Sequence, residues 1–159
     1  MEYNAAVTGW GWYCPSKVLS NEDLAKLVDT NDEWIRSRTG IRERRIAGPD
    51  ETTSTMATIA ARQALEEAEL SARDLDLVIC ATTTPDQLLP ATACLIQHNL
   101  GADRAGAFDL NTACTGFLYA LSVGTQFIQG GGAKRVLVVA GETLSRFTNF
   151  EDRNTCILF

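Results

Sequence analysis

Thr115-Gly116-Phe117-Leu118-Tyr119-Ala120-Leu121-Ser122-Val123-Gly124-Thr125-Gln126-Phe127-Ile128 is the stretch on which the architecture turns. Phe117, Leu118, Tyr119, Ala120, Leu121, Val123, Phe127 and Ile128 leave almost no polar stripe, and a helix apolar all round is buried on every side. The outer helices of an ordinary three-layer α/β domain are amphipathic. This helix therefore lies between two sheets, whereas 159 residues supply strands for only one. The missing layer comes from elsewhere.

Outward from that helix, strands and helices alternate, the pattern of an α/β sheet. Ala107–Leu110 reads as a strand before it and Arg135–Ala140 as a buried strand after it. Leu75–Ala81 is a nearly continuous apolar strand, as expected with both faces covered. Residues 55–69 are Ala-rich and helical, and Pro90 opens a helix running to about Leu100. Near the start, Ala5–Trp10 reads as a strand. Ser20-Asn21-Glu22-Asp23 is a capping box for a short helix containing Leu24, Leu27 and Val28. Thr30-Asn31-Asp32-Glu33 repeats that signature before Trp34 and Ile35, with Gly40 as the stop. Thr155–Phe159 begins one more apolar strand, and the chain stops inside it, so a truncated fold is the expectation. No low-complexity linker, short repeat or internal boundary is visible.

The composition is globular: 45% hydrophobic, 21% charged, with a formal net charge of −6. An acidic balance argues against nucleic acid as the main partner. No apolar run reaches the roughly 20 residues of a membrane span, and no signal-peptide pattern opens the chain. Cys14, Cys80, Cys94, Cys114 and Cys156 are odd in number and show no C-x-x-C spacing. With His98 the single histidine, there is no set of metal ligands, and the thiols read as reduced in a cytoplasm.

Cys114 sits between a short strand and the apolar helix, in Asn111-Thr112-Ala113-Cys114-Thr115-Gly116. A helix N-terminus offers unpaired N–H groups and a positive dipole end, which favour a thiolate. Small neighbours let a carbonyl approach. Two readings stand at this level, a buried core thiol and a nucleophile. Arg36–Arg45 gathers five of the fourteen basic residues, either as a solvated, salt-bridged face or as an anion site. Trp34 lies four residues before Arg38, so indole and guanidinium share a helix face and can clamp a flat base. Gly9-Trp10-Gly11 lacks the third glycine of a dinucleotide fingerprint. Gly130-Gly131-Gly132 follows a helix and is a stop, and His98 reads as a surface or capping residue.

Six segments together resemble β-ketoacyl-(acyl-carrier-protein) synthase III, a branch of the thiolase superfamily. They are Asp29-Thr30-Asn31-Asp32-Glu33-Trp34-Ile35, Arg38-Thr39-Gly40-Ile41-Arg42-Glu43-Arg44, Ala81-Thr82-Thr83-Thr84-Pro85, Pro90-Ala91-Thr92-Ala93-Cys94, Ala113-Cys114-Thr115-Gly116-Phe117 and Asp152-Arg153. The resemblance is collinear and covers the whole chain. It implies an α/β, thiolase-like fold in which residues 1–159 are the nucleophile-bearing amino-terminal αβα half of a five-layered αβαβα architecture. On the same resemblance, the carboxy-terminal half is expected to be absent from this chain.

It also implies a homodimer whose cysteine takes an acyl group from acyl-CoA. Malonyl-acyl-carrier-protein then loses carbon dioxide, and its carbanion attacks the thioester, initiating fatty-acid synthesis. Coenzyme A enters as a thioester substrate, with no permanently bound cofactor, metal, nucleic acid or membrane. By position Cys114 matches the nucleophile, and Trp34 and Arg38 match residues holding the adenine end of coenzyme A, with Thr30 and Arg153 beside them. Leu89 matches the loop that crosses the dimer to the neighbour's acyl pocket, and Leu144 and Phe159 match positions near the active-site channel. The histidine, asparagine and oxyanion glycine of the family belong to the second half, so these residues alone are expected not to condense. Alternatives are a polyketide- or quinolone-type condensing enzyme and a non-catalytic half-subunit that binds acyl-CoA.

Overall fold

The computed structural model describes residues 4–159. In chain order the elements are β1 (Val18–Ser20), α1 (Asn21–Leu24), α2 (Asp32–Thr39), β2 (Glu43–Arg45), α3 (Thr53–Glu67), β3 (Leu77–Ala81), α4 (Thr92–Leu100), β4 (Gly106–Leu110), α5 (Gly116–Gln129), β5 (Val136–Ala140) and α6 (Arg153–Cys156). They divide into two compact units that interleave along the sequence. One holds the residues up to Tyr13 together with Thr52–Glu142, the other Cys14–Glu51 together with Thr143–Phe159. Composition marks none of the three crossings, which is why no boundary was legible.

The first unit is a three-layer αβα sandwich. Its sheet is parallel in the order β4-β3-β5, with Ile79 opposite Phe108 on one side and Val138 on the other. β3 is buried at all five residues, the reason it reads as an unbroken apolar run. Its side chains alternate: Val78 and Cys80 pack with Ala57, Ala61, Leu65, Ala93 and Ile96 of α3 and α4. Leu77, Ile79 and Ala81 pack with Ala120 of α5 on the opposite face.

Against this sheet α5 buries only Gly116, Ala120 and Gly124. A Cβ on Gly124 would lie 3.2 Å from Val136 Cγ1 and 3.3 Å from Val138 Cγ2, so glycine sets the close approach. The outer side is bare: Leu118 is 69% exposed, and Phe117, Tyr119 and Phe127 stand open with it. Burial on every side is therefore not completed among the described residues, because the three-stranded sheet covers one face of the helix.

Two strand expectations are corrected. Ala5–Trp10 pairs with no strand among the described residues. Instead the N–H groups of Trp10 and Trp12 donate to Glu67 Oε2 (3.1 Å) and Gln63 Oε1 (3.2 Å) of α3. Gly9 and Gly11 press on the same helix, where any Cβ would strike the Ala64 and Ala60 carbonyl oxygens. Thr155–Phe159 is not a strand either. Asp152 caps α6 by accepting from Asn154 N (2.9 Å), and the helix turns Cys156 and Ile157 onto Leu24 and Ile35.

That cluster is the core of the second unit, where β1 and β2 form an antiparallel pair. The expected caps are present. Ser20 makes the capping box of α1 with Asp23, although the helix ends at Leu24, before Leu27 and Val28. Asn31 caps α2, and Gly40 closes it at φ 76°, a left-handed conformation suited to glycine. In the first unit α4 begins two residues after Pro90, whose peptide bond with Leu89 is cis. Its cap comes from a distance: the Asp109 carboxylate accepts from Thr92 N (2.8 Å) and Ala93 N (2.7 Å).

Candidate functional site

Parallel strands bring their carboxyl ends to one edge, where open α/β sheets place their chemistry. Here β4 leads through Asn111 and Thr112 into a single 3₁₀ turn, Ala113–Thr115, and then into α5. Thr115 tightens the turn by donating from its N (3.2 Å) and Oγ1 (2.8 Å) to Thr112 O. Ala113 is held at φ 48°, a left-handed conformation that costs a non-glycine residue on the order of 1 kcal/mol. Gly116 lets the helix start against the end of the central strand, since a Cβ there would sit 3.1 Å from Ala81 Cβ. The turn leaves Cys114 exposed, ahead of a helix whose first turn has no side-chain cap. Among the described residues nothing covers the Cys114 side chain, unlike the buried Cys80 and Cys156. Uncapped N–H groups and a positive helix end beside an exposed sulfur suit a thiolate or an oxyanion.

Cys80, the penultimate residue of β3 at the same edge, shows the opposite environment. Burial pushes its thiol up to about 12, and the carboxylates of Asp109, Glu142 and Asp86 act in the same direction. Burial also raises the Cys156 thiol. Brief alkylation of the native protein should therefore label Cys114 ahead of Cys94 and Cys156 and leave Cys80 unmodified until the fold is opened. Mass-spectrometric mapping that found Cys80 or Cys156 labelled first would contradict this ranking.

Beside Cys114's strand, the loops after β3 and β5 are tied together by Glu142. Its Oε1 accepts from Thr83 N (2.8 Å) and its Oε2 from Thr83 Oγ1 (2.9 Å), while Thr53 Oγ1 donates to Thr84 O (2.7 Å). The loop from β3 to α4 carries Leu88 and Leu89, which are 90% and 85% exposed. Composition had not singled out Glu142 or Asp109. The available signal was a carboxylate in or just after an apolar strand.

The second unit holds the aromatic–cationic cluster. The Arg38 guanidinium lies 4.4 Å from the Trp34 ring centroid, as the four-residue spacing implied, and Arg153 lies 4.7 Å from it. Arg153 Nη1 also donates to Asp29 O (3.1 Å). Thr30 adjoins the cap of α2, and its hydroxyl oxygen is buried with no hydrogen-bond partner among the described residues. Leu144 and Phe159 lie in the same unit, partly exposed. The basic run is not a single anion site. Arg36 pairs with Asp32 (3.2 Å), Arg45 pairs with Glu43 (3.2 Å), and Arg44 is buried.

A parallel sheet with helices on both faces, and an exposed cysteine in the turn from strand to central helix, defines a thiolase-like α/β fold. The family model described as 3-oxoacyl-[acyl-carrier-protein (ACP)] synthase III matches residues 108–159, the segment holding Cys114 and α5. The chain is 57% identical over 155 residues to β-ketoacyl-[acyl-carrier-protein] synthase III of Xylella fastidiosa, covering 98% of this chain and 48% of the relative. It is 54% identical to the synthase III of Caldanaerobacter subterraneus, covering 98% and 47%. The crystal structure of the Aquifex aeolicus 3-oxoacyl-[acyl-carrier-protein] synthase III superposes with a TM-score of 0.93 at 55% identity, over 96% of this chain and 49% of that one. The priming β-ketosynthase of the R1128 polyketide pathway superposes at 0.96 with 42% identity, over 99% and 47%.

The chain belongs to the β-ketoacyl-[acyl-carrier-protein] synthase III family. It spans about half the length of the curated relatives it matches.

Proposed function

We propose that the chain is the amino-terminal, nucleophile-bearing half of a condensing acyltransferase that starts fatty-acid synthesis. The observation that carries this reading is the exposed Cys114 at the uncapped start of α5. The Cys114 thiolate attacks the carbonyl of an acyl-CoA. A new C–S bond forms as the old one breaks, and coenzyme A leaves as its thiol after taking a proton. Malonyl-acyl-carrier-protein then loses carbon dioxide, and the resulting carbanion attacks the cysteine thioester and expels the thiolate. Unpaired N–H groups aimed at the developing oxyanion are the type of group that contributes most to such steps.

Trp34, Arg38 and Arg153 are proposed to hold the adenine end of coenzyme A, with Thr30's unpartnered hydroxyl available to it. A flat base takes the place of a guanidinium on the indole face, and the displaced cation stays close to the phosphates. Leu89, Leu144 and Phe159 are proposed to line the acyl path. The histidine–asparagine pair that the resemblance implies has no counterpart among these residues, since His98 is exposed at the end of α4. Condensation is therefore proposed to need a second half covering α5's bare face, in a cytoplasmic homodimer. Among the described residues no helix is long and apolar enough to cross a membrane.

Exposure to an acyl-CoA, followed by intact-mass and peptide mapping, tests this directly. One acyl group on Cys114 is expected. Trp34→Ala should raise the acyl-CoA concentration for half-maximal acylation about 10- to 100-fold, the worth of one base–aromatic stack. An acyl group on another cysteine, or none, overturns the reading. The likeness to a polyketide-priming ketosynthase favours a second reading with the same first step and a different carrier. Comparison of carrier proteins as acceptors separates the two.

A further inference from the structure

Arg44 is the middle residue of β2, and strand alternation turns it inward while Glu43 and Arg45 face out. It is 7% exposed, and among the described residues every partner of its guanidinium is neutral. Nε donates to Cys156 O (3.2 Å), Nη2 to Ile157 O (2.6 Å) and Nη1 to Asn21 Oδ1 (2.6 Å). The first two acceptors are the closing carbonyls of α6, the helix whose first residue is Arg153. Asn21 in turn donates to Asp32 Oδ1 (2.8 Å) and Ile41 O (2.8 Å) at the two ends of α2, the helix carrying Trp34 and Arg38.

These contacts close a ring. It runs from Trp34 through α2 to Asp32, Asn21, Arg44 and the end of α6, then along α6 to Arg153, which returns to the Trp34 ring at 4.7 Å. A buried guanidinium is costly unless its donors are satisfied. A fixed five-donor fork can hold two helix-end carbonyls and an amide at once, which a point-like ammonium cannot. Ion pairing does not account for the charge here, since no carboxylate among the described residues pairs with it. What the fork does is fix the distance between the helix bearing Trp34 and the helix bearing Arg153.

We propose that Arg44, through Asn21, is a positioning residue that presets the Trp34–Arg153 spacing for the nucleotide end of coenzyme A. This rests on the coenzyme A reading of that cluster. Arg44 itself does not touch the substrate. Its contribution is confined to thioesters that carry the nucleotide.

The test measures acylation of Cys114 in the complete protein, with acyl-CoA and with the corresponding acyl-pantetheine, which lacks the nucleotide. Arg44→Lys keeps the charge and one hydrogen bond. It should raise the half-saturating acyl-CoA concentration about tenfold at unchanged maximal rate, and leave acyl-pantetheine unaffected. Asn21→Ala should move the same ratio in the same direction, and it carries the comparison if Arg44→Lys does not fold. Equal slowing with both thioesters assigns Arg44 a general structural role and overturns the proposal. So does an unchanged acyl-CoA response while Trp34→Ala weakens it, an outcome that leaves the clamp standing. If Trp34→Ala itself changes nothing, the clamp reading falls and the proposal with it.

Discussion

Cys114→Ala should abolish acyl uptake and lower turnover of the complete protein by on the order of 10⁴-fold or more. No other thiol is placed to compensate. Cys80 lies behind the strand edge with its thiol pushed up to about 12, so almost none of it is ionised near neutrality. Cys156 is buried in the second unit's core beneath Arg44. Cys94 sits on α4 with its sulfur near Ala107 O at 3.8 Å. Cys14 is exposed but lies in a segment with no helix start behind it. The loss should be chemical rather than structural, because the Cys114 side chain is exposed and the turn around it is held by Thr112 and Thr115. Circular dichroism and the melting curve should be unchanged while the acyl adduct disappears from the mass spectrum. Persistence of an adduct in the variant would remove Cys114 from the mechanism.

Ile79→Ala should destabilise the first unit by about 2–5 kcal/mol, in the upper part of that range. Ile79 is fully buried at the midpoint of the central strand, beneath α5. The residues α5 buries there are Ala120 and Gly124, too small to refill the space, and β-branched Val123, Val136 and Val138 around it are stiff at χ1, so much of the cavity stays open. Urea titration should show a lower midpoint at an unchanged slope. A loss under 1 kcal/mol would mean that α5 slides to fill the void, and Cys114 acylation would then slow as well, because the turn moves with the helix.

Much of this arrangement was legible in the residues, and what was not has identifiable causes. β3 declared itself because both its faces are covered. Trp34 and Arg38 declared themselves because helical spacing is local. Arg153 could be tied to Trp34 only through the family resemblance, since the two are brought together by tertiary packing. Arg44 was hidden among four other arginines. Only the two-residue alternation of β2, a strand that lacks any apolar pattern, separates it from Arg45. Ala5–Trp10 failed as a strand because β propensity needs a partner, and helix side chains took its N–H groups instead. Thr155–Phe159 failed because its apolar run is read from a capped turn rather than from a sheet. The expected wrapping of α5 on every side is not met among the described residues, where its outer face stays open, because an apolar sequence states what a helix can bury against and not which residues supply the cover.

The ring through Arg44 also sets a timetable. Arg44 is made 112 and 113 residues before the carbonyls that accept from it. At about 5–20 residues per second on the ribosome, its guanidinium waits roughly 6–22 s for them. Trp34 waits as long for Arg153. Late in that interval the first unit can complete its sheet, which is finished once β5 has emerged at Ala140. The Trp34–Arg153 contact therefore closes only after every strand of that sheet has been made, so the exposed turn at Cys114 exists before the aromatic–cationic cluster does.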